Sequence, residues 1–201
     1  MGRKTRTRTQ ETYRSDCFAS HTLRRVTPRT ARIALGALLL CIYSTLYVAR
    51  TISNALRDAG YLRAAVATAF ALAAISAVVF IFRTPALRNP RAIFATLGIS
   101  IVYATIVFPM SSPEEKLHFL EYGAVGVLAF FAMNPKWMAW KRFIAAVLFT
   151  LAAGWLDEGI QALLPNRHYD LRDVGFNVLA GAMALTSFAL IRWAAPSGAS
   201  A

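Results

Sequence analysis

Residues 143–183 read FIAAVLFTLAAGWLDEGIQALLPNRHYDLRDVGFNVLAGAM. One apolar run leads into a polar centre, and a second apolar run leads out of it. The centre carries Asp157, Glu158, Gln161, Arg167, Asp170, Arg172, Asp173 and Asn177. Pro165 removes a backbone donor and is expected to stop the first run as a helix. The stretch therefore predicts two helices whose polar ends meet at one short turn.

The rest of the chain decides what surrounds them. Of its 201 residues, 57% are hydrophobic and 16% charged, against about a quarter charged in a soluble domain. The apolar residues come in blocks that approach the roughly 17–25 residues needed to cross a bilayer core. Backbone groups left unpaired in lipid cost several kcal/mol each, so such blocks should be helical. They are rich in Ala and Leu and show no strand-like alternation, which argues against a β-barrel. The reading is an all-α, polytopic membrane bundle with about six spans: 33–49, 64–82, 92–109, 117–133, 143–163 and 174–194.

Charge placement orients the bundle. Residues 1–32 hold nine Lys/Arg against Glu11 and Asp16, so residues 1–30 read as a basic, disordered cytoplasmic tail that touches anionic lipid. The net charge is +12, yet no folded nucleic-acid module accompanies it, and nucleic acid is not an expected partner. Two loops are purely basic: Arg83, Arg88 and Arg91, then Lys136, Lys141 and Arg142. The others are mixed: Arg50, Arg57, Asp58 and Arg63; Glu114, Glu115 and Lys116; Arg167, Asp170, Arg172 and Asp173. The positive-inside rule then puts both termini in the cytoplasm. Membrane lipids are the expected partners and a bacterial cytoplasmic membrane the expected location. Cys17 and Cys41 are not expected to pair, and no metal-ligand spacing, phosphate loop or cofactor signature is present.

With this topology three helix ends share the outer side. The fourth span brings His118, Glu121 and Tyr122, an i, i+3, i+4 stripe. The fifth brings Glu158 and Gln161 on one stripe with Gly154, while Asp157 is turned about 100° away toward a different neighbour. The sixth brings Asp170, Asp173, Asn177 and Gly181. Glu158 precedes Pro165 by seven residues, roughly 10 Å along the axis. The expectation is a shallow polar pocket open to the outer face. An ionisable group inside a span costs roughly 2.5–3.5 kcal/mol on insertion scales, so these groups should face one another, water or a ligand. Structural roles stand beside that reading. Asp170 has the place of an N-cap, Asn177 and Gln161 suit interhelical hydrogen bonds, His118 suits an interface, and Arg167 a loop ion pair with Asp170.

The spaced pattern Glu158, Gln161, Pro165, Arg167, Asp170, Asp173, Asn177, Gly181, with EKLHFLEYGAVG upstream (residues 115–126), resembles the VanZ-like family of small bacterial membrane proteins. Its founding member is associated with teicoplanin resistance. The resemblance covers about residues 93–194 and marks 93–195 as the family region, after N-terminal helices at 31–92 and before a tail at 196–201. Lys116 stands two residues from His118 where many members have Asp-Lys-x-x-His. What the resemblance implies is a polar cluster at the outer membrane surface and a link to glycopeptide resistance.

Three functions compete. In the first, the cluster binds an envelope amphiphile or lipid-linked headgroup through Arg167 and His118, positioned by Glu158 and Asp173, with Asn177, Gln161, Asp170, Glu121 and Tyr122 completing the site. In the second, an intramembrane hydrolase or transferase uses Glu158 as general base and His118 as its partner. In the third, the cluster only packs helices or a protein partner. A proton-coupled transporter is disfavoured by the one-sided polarity and the lack of an inverted repeat.

Overall fold

A computed structural model describes residues 26–165 and 169–194. Three helices open with the same device, a polar N-cap followed by proline. Thr27 accepts from the Thr30 amide at 3.2 Å before Pro28, Asn89 from Ala92 at 3.0 Å before Pro90, and Ser112 from Glu115 at 3.4 Å before Pro113. Each cap satisfies one of the amides a helix start leaves unpaired, and proline lacks the amide it would leave unpaired. The helices are α1 (Pro28–Asp58), α2 (Leu62–Arg83), α3 (Pro90–Val107), α4 (Pro113–Ala132), α5 (Ala139–Ala162) and α6 (Leu171–Ala194), with a 3₁₀ turn at Pro85–Leu87. The described residues form an all-α bundle.

Five of the six, all but α4, are long and apolar enough to cross a membrane. Their outward faces carry large apolar side chains, among them Leu72, Ile75, Phe80 and Phe82 on α2 and Phe94 and Ile101 on α3. Water would not tolerate so continuous an apolar surface, whereas lipid does. The chain is a multi-pass membrane protein. Helix α4 spans 20 residues and is excluded by the charges in its first turns. It can carry them because it packs against α1, α2, α5 and α6 at once, and much of its surface faces protein.

Helices consecutive in the chain alternate in direction. Arg32 at the start of α1 donates from Nε to the Ala132 carbonyl at the end of α4, 3.0 Å. Arg142 in the first turn of α5 donates to Phe130 of α4 at 2.9 Å, its guanidinium 4.1 Å above the Phe130 ring. These two arginines cap carbonyls that the α4 C-terminus leaves open. Phe119 meets Phe176 near the starts of α4 and α6, and Phe131 meets Phe188 near their ends, so those two run parallel. Ala194 packs with Leu87 and Ala92, bringing the end of α6 to the start of α3. One end of the bundle, the basic end, thus gathers Arg32, Arg83, Arg88, Arg91, Lys136, Lys141, Arg142 and Arg192. The other, the polar end, holds the α1–α2 and α3–α4 turns, the end of α5 and the start of α6.

The first span is longer than the sequence reading had it. Nothing stops a helix after residue 49: Arg50, Ser53, Asn54 and Arg57 all tolerate one, and α1 runs on to Asp58. Gly60, at φ 77°, then ends it. The Gly60 amide donates to Arg57 O at 3.0 Å and the Tyr61 amide to Leu56 O at 2.8 Å, a Schellman closure that needs a residue tolerant of left-handed backbone. Arg50 and Arg57, expected in a loop, therefore lie on a helix. The basic tail, apart from its last residues, lies outside the described residues, as do Cys17 and the segment 196–201. Cys41 is exposed and unbridged on α1.

Small residues let the core helices touch. A β-carbon on Gly126 of α4 would come within 2.8 Å of the Gly181 Cα on α6. One on Gly181 would meet Thr150 Cγ2 of α5 at the same distance. Helices α4 and α6 thus meet nearly backbone to backbone, and α5 meets α6 with a glycine on one side and a short side chain on the other.

Candidate functional site

Helix α5 presents two acids on adjacent faces, and each finds a different environment. Glu158 is 1% exposed. Its Oε1 accepts from Gln161 Nε2 at 3.2 Å, one turn along the same helix. Its Oε2 accepts from the backbone amide of Asp170 at 3.2 Å, immediately before α6. Glu158 therefore ties the end of α5 to the start of α6. Asp170 in turn accepts from the Arg172 amide at 2.8 Å through Oδ1, and its carbonyl accepts from the Asp173 amide at 3.1 Å. That is how a residue starting a helix satisfies the amides left open there. One carboxylate closes a turn between helices, and a second begins the next helix.

Asn177, about two turns further along α6, is fully buried against Gly154. A β-carbon on that glycine would stand 2.9 Å from the Asn177 Cβ, so only glycine admits the asparagine there. Gly154 and Glu158 lie one turn apart on α5, so Asn177 and Glu158 belong to the same α5–α6 seam. Neither Asn177 Oδ1 nor Nδ2 has a hydrogen-bond partner among the described residues.

Asp157 was turned away from the candidate site in the sequence reading and given no role in it. It is fully buried, and neither carboxylate oxygen has a hydrogen-bond partner among the described residues. It faces the other way from Glu158, within electrostatic reach of Tyr43 on α1 and of Tyr122 and Glu121 on α4. The Tyr43 hydroxyl donates to the Ala153 carbonyl at 2.9 Å, and Tyr122, itself fully buried, to the same carbonyl at 3.4 Å. Ala153 lies one turn before Asp157, so two phenols and a buried acid share one short stretch of α5. The 100° offset between Asp157 and Glu158 foretold a second neighbour. That Tyr43 would supply it could not be read, because α1 lies outside the motif.

The fourth-span stripe assembles at the same end. His118 Nδ1 stands 3.9 Å from Glu121 Oε2, and its ring lies 6.0 Å from that of Tyr122. The His118 side chain is 14% exposed and that of Glu121 43%. Asp170 and Asp173 are also half-buried. The predicted residues thus sort into a buried tier, Glu158, Gln161, Asn177 and Tyr122, and a partly exposed rim, His118, Glu121, Asp170 and Asp173. Arg167 lies outside the described residues. Lys116 donates to the Phe108 carbonyl at 3.2 Å and holds the end of α3. Arg172 places its guanidinium 5.8 Å from the centre of the Phe176 ring.

The buried tier is closed to solvent. The open cleft at this end lies elsewhere, between the α1–α2 turn and the α3–α4 turn, with Arg57, Arg63, Ser111 and Ser112 on its walls. Chemically, the tier and the neighbouring Asp157 offer fixed acceptors and two buried acids, and the rim offers an imidazole and three carboxylates. Among the described residues no group of three or more His, Cys, Asp or Glu is placed to hold a metal ion. Comparison with protein-family models, with curated proteins and with solved structures returns no match to this chain.

Proposed function

We propose that this chain is a VanZ-like protein of the bacterial cytoplasmic membrane whose polar end faces outward and binds or handles the headgroup of an envelope amphiphile. The observation that carries the reading is the burial of Glu158 in the α5–α6 seam, with its two oxygens fixing Gln161 and the start of α6. A carboxylate this deep in an apolar bundle is costly unless it organises its surroundings. What it organises is the rim: Asp170 and Asp173 are held by the helix start that Glu158 anchors, opposite His118 and Glu121 on α4. Arg167, three residues before Asp170, supplies the cation for an anionic headgroup. The clustering of arginine and lysine at the other end supports the orientation, because basic ends stay in the cytoplasm.

The test is mass spectrometry of lipids and envelope precursors that copurify with the protein. The wild type should retain a defined amphiphile and Arg167→Ala should lose it. Equal retention by the variant would overturn the reading. A link to glycopeptide resistance belongs to the same proposal; deletion of the gene should then sensitise the cell to teicoplanin, and unchanged sensitivity would remove it. The second reading, hydrolysis or transfer with Glu158 as base and His118 as its partner, is favoured by one observation, the placement of a buried acid and an imidazole at the same end. Glu158→Gln should then abolish turnover in a protein that still folds.

A further inference from the structure

The cleft at the polar end differs in chemistry from the Glu158 cluster. It has a volume of about 630 Å³, within the range of roughly 300–1,000 Å³ usual for small-molecule sites. Arg57 comes from the last turn of α1 and Arg63 from the first turn of α2. The left-handed turn at Gly60 between them folds the chain back so that both reach one cavity, and Gly60, with no side chain, lines it. Ser111 and Ser112, before α4, form the opposite wall. No carboxylate lines the cleft among the described residues, although Asp58 and Glu115 lie in the same turns.

Depth points to the kind of occupant. Helix α1 has 31 residues, about 46 Å at 1.5 Å per residue. The hydrocarbon core is about 30 Å thick and the whole bilayer with headgroups about 40–45 Å. Starting from the basic end, the last turn of α1 therefore reaches the headgroup layer of the far leaflet. Two guanidiniums and two hydroxyls at that level match a phosphate, since the planar arginine fork donates paired hydrogen bonds to phosphate oxygens.

We propose that the Arg57–Arg63 cleft binds a phosphate monoester, the anionic part of the headgroup that the polar end receives. This rests on the reading that the polar end meets an amphiphile, and it adds both the ligand chemistry and a contact outside the VanZ-like region. The site holds the phosphate in a fixed place beside the rim, and its affinity falls as ionic strength screens the arginines.

The test is calorimetric titration of detergent-solubilised full-length protein with three probes: dihexanoyl-phosphatidic acid, dihexanoyl-phosphatidylcholine and inorganic phosphate. Phosphatidic acid should bind saturably and phosphatidylcholine at least tenfold more weakly. Arg57 has an interaction within the protein, so Arg63→Gln, on an exposed side chain, is read first and Arg57→Gln/Arg63→Gln second. Each should weaken phosphatidic acid binding at least tenfold, with the melting temperature of Arg63→Gln unchanged. Inorganic phosphate binding as tightly as phosphatidic acid identifies a free anion as the source; much weaker binding identifies the lipid. Absence of saturable binding, equal binding of phosphatidylcholine, or full binding by Arg63→Gln would overturn the proposal. Arg167→Ala separates the two claims: it should spare phosphatidic acid binding at the cleft even where it abolishes amphiphile retention.

Discussion

Gly126→Ala tests the packing on which the polar end depends. The new β-carbon would stand 2.8 Å from the Gly181 Cα and 3.0 Å from its carbonyl oxygen, where ordinary contact is 3.4–4 Å. Both obstacles are backbone and cannot rotate aside, so α4 and α6 must separate by roughly half an ångström or one must bend. Forced overpacking of this kind costs about 1–3 kcal/mol. Alanine also favours a helix over glycine by about 1 kcal/mol, which would mask part of the loss. Gly159→Ala supplies the control, because a β-carbon there meets nothing within 4 Å and carries the same helix preference. The stability difference between the two variants, read by denaturant unfolding in mixed micelles, should therefore isolate about 1–3 kcal/mol of packing. Equal stability of the two would refute the close approach of α4 and α6.

Three further changes probe the polar groups. Glu158→Ala leaves the Asp170 amide and the Gln161 side chain without their acceptor, at about 1–3 kcal/mol per buried group. Glu158→Gln keeps one acceptor oxygen and should cost less, and the reverse order in thermal melting would contradict the two hydrogen bonds. Asp157→Leu removes two buried oxygens that have no hydrogen-bond partner among the described residues, with the Tyr122 hydroxyl the nearest candidate donor, so stability should rise by about 1–3 kcal/mol. A fall would mean that the carboxylate is held, by the Tyr122 hydroxyl or by water. Tyr43→Phe deletes the 2.9 Å bond to Ala153 and should cost about 1 kcal/mol; an unchanged melting temperature would show that α1 is held by apolar contacts only.

The helices were legible because the membrane leaves the sequence so little freedom: runs such as Leu62–Arg83 have one reading in lipid. Their starts, at Thr27–Pro28, Asn89–Pro90 and Ser112–Pro113, came before the expected 33, 92 and 117, because the polar cap and proline open each helix before its apolar run begins. The end of α1 was not legible, because hydropathy falls at Arg50 while helix propensity does not, and only Gly60 stops the chain. In the site, helical spacing placed Glu158 with Gln161 and His118 with Glu121 and Tyr122. It could not show that Glu158 reaches past its own helix to the Asp170 amide. Nor could it show that Asp157 turns toward Tyr43, since that contact joins residues 114 positions apart. Glu158, expected in an open pocket, is buried, and a cleft lies at turns whose arginines had been read as loop charge.

The functional reading stands on which face of the membrane the polar end occupies. In a background with Cys17 and Cys41 replaced by serine, single cysteines at Tyr169 and at Asn134 mark the two ends, both exposed. A membrane-impermeant thiol reagent applied to intact spheroplasts should label Tyr169→Cys and leave Asn134→Cys untouched until the membrane is opened. Labelling of Asn134→Cys with protection of Tyr169→Cys would turn the protein over and contradict an outward-facing site.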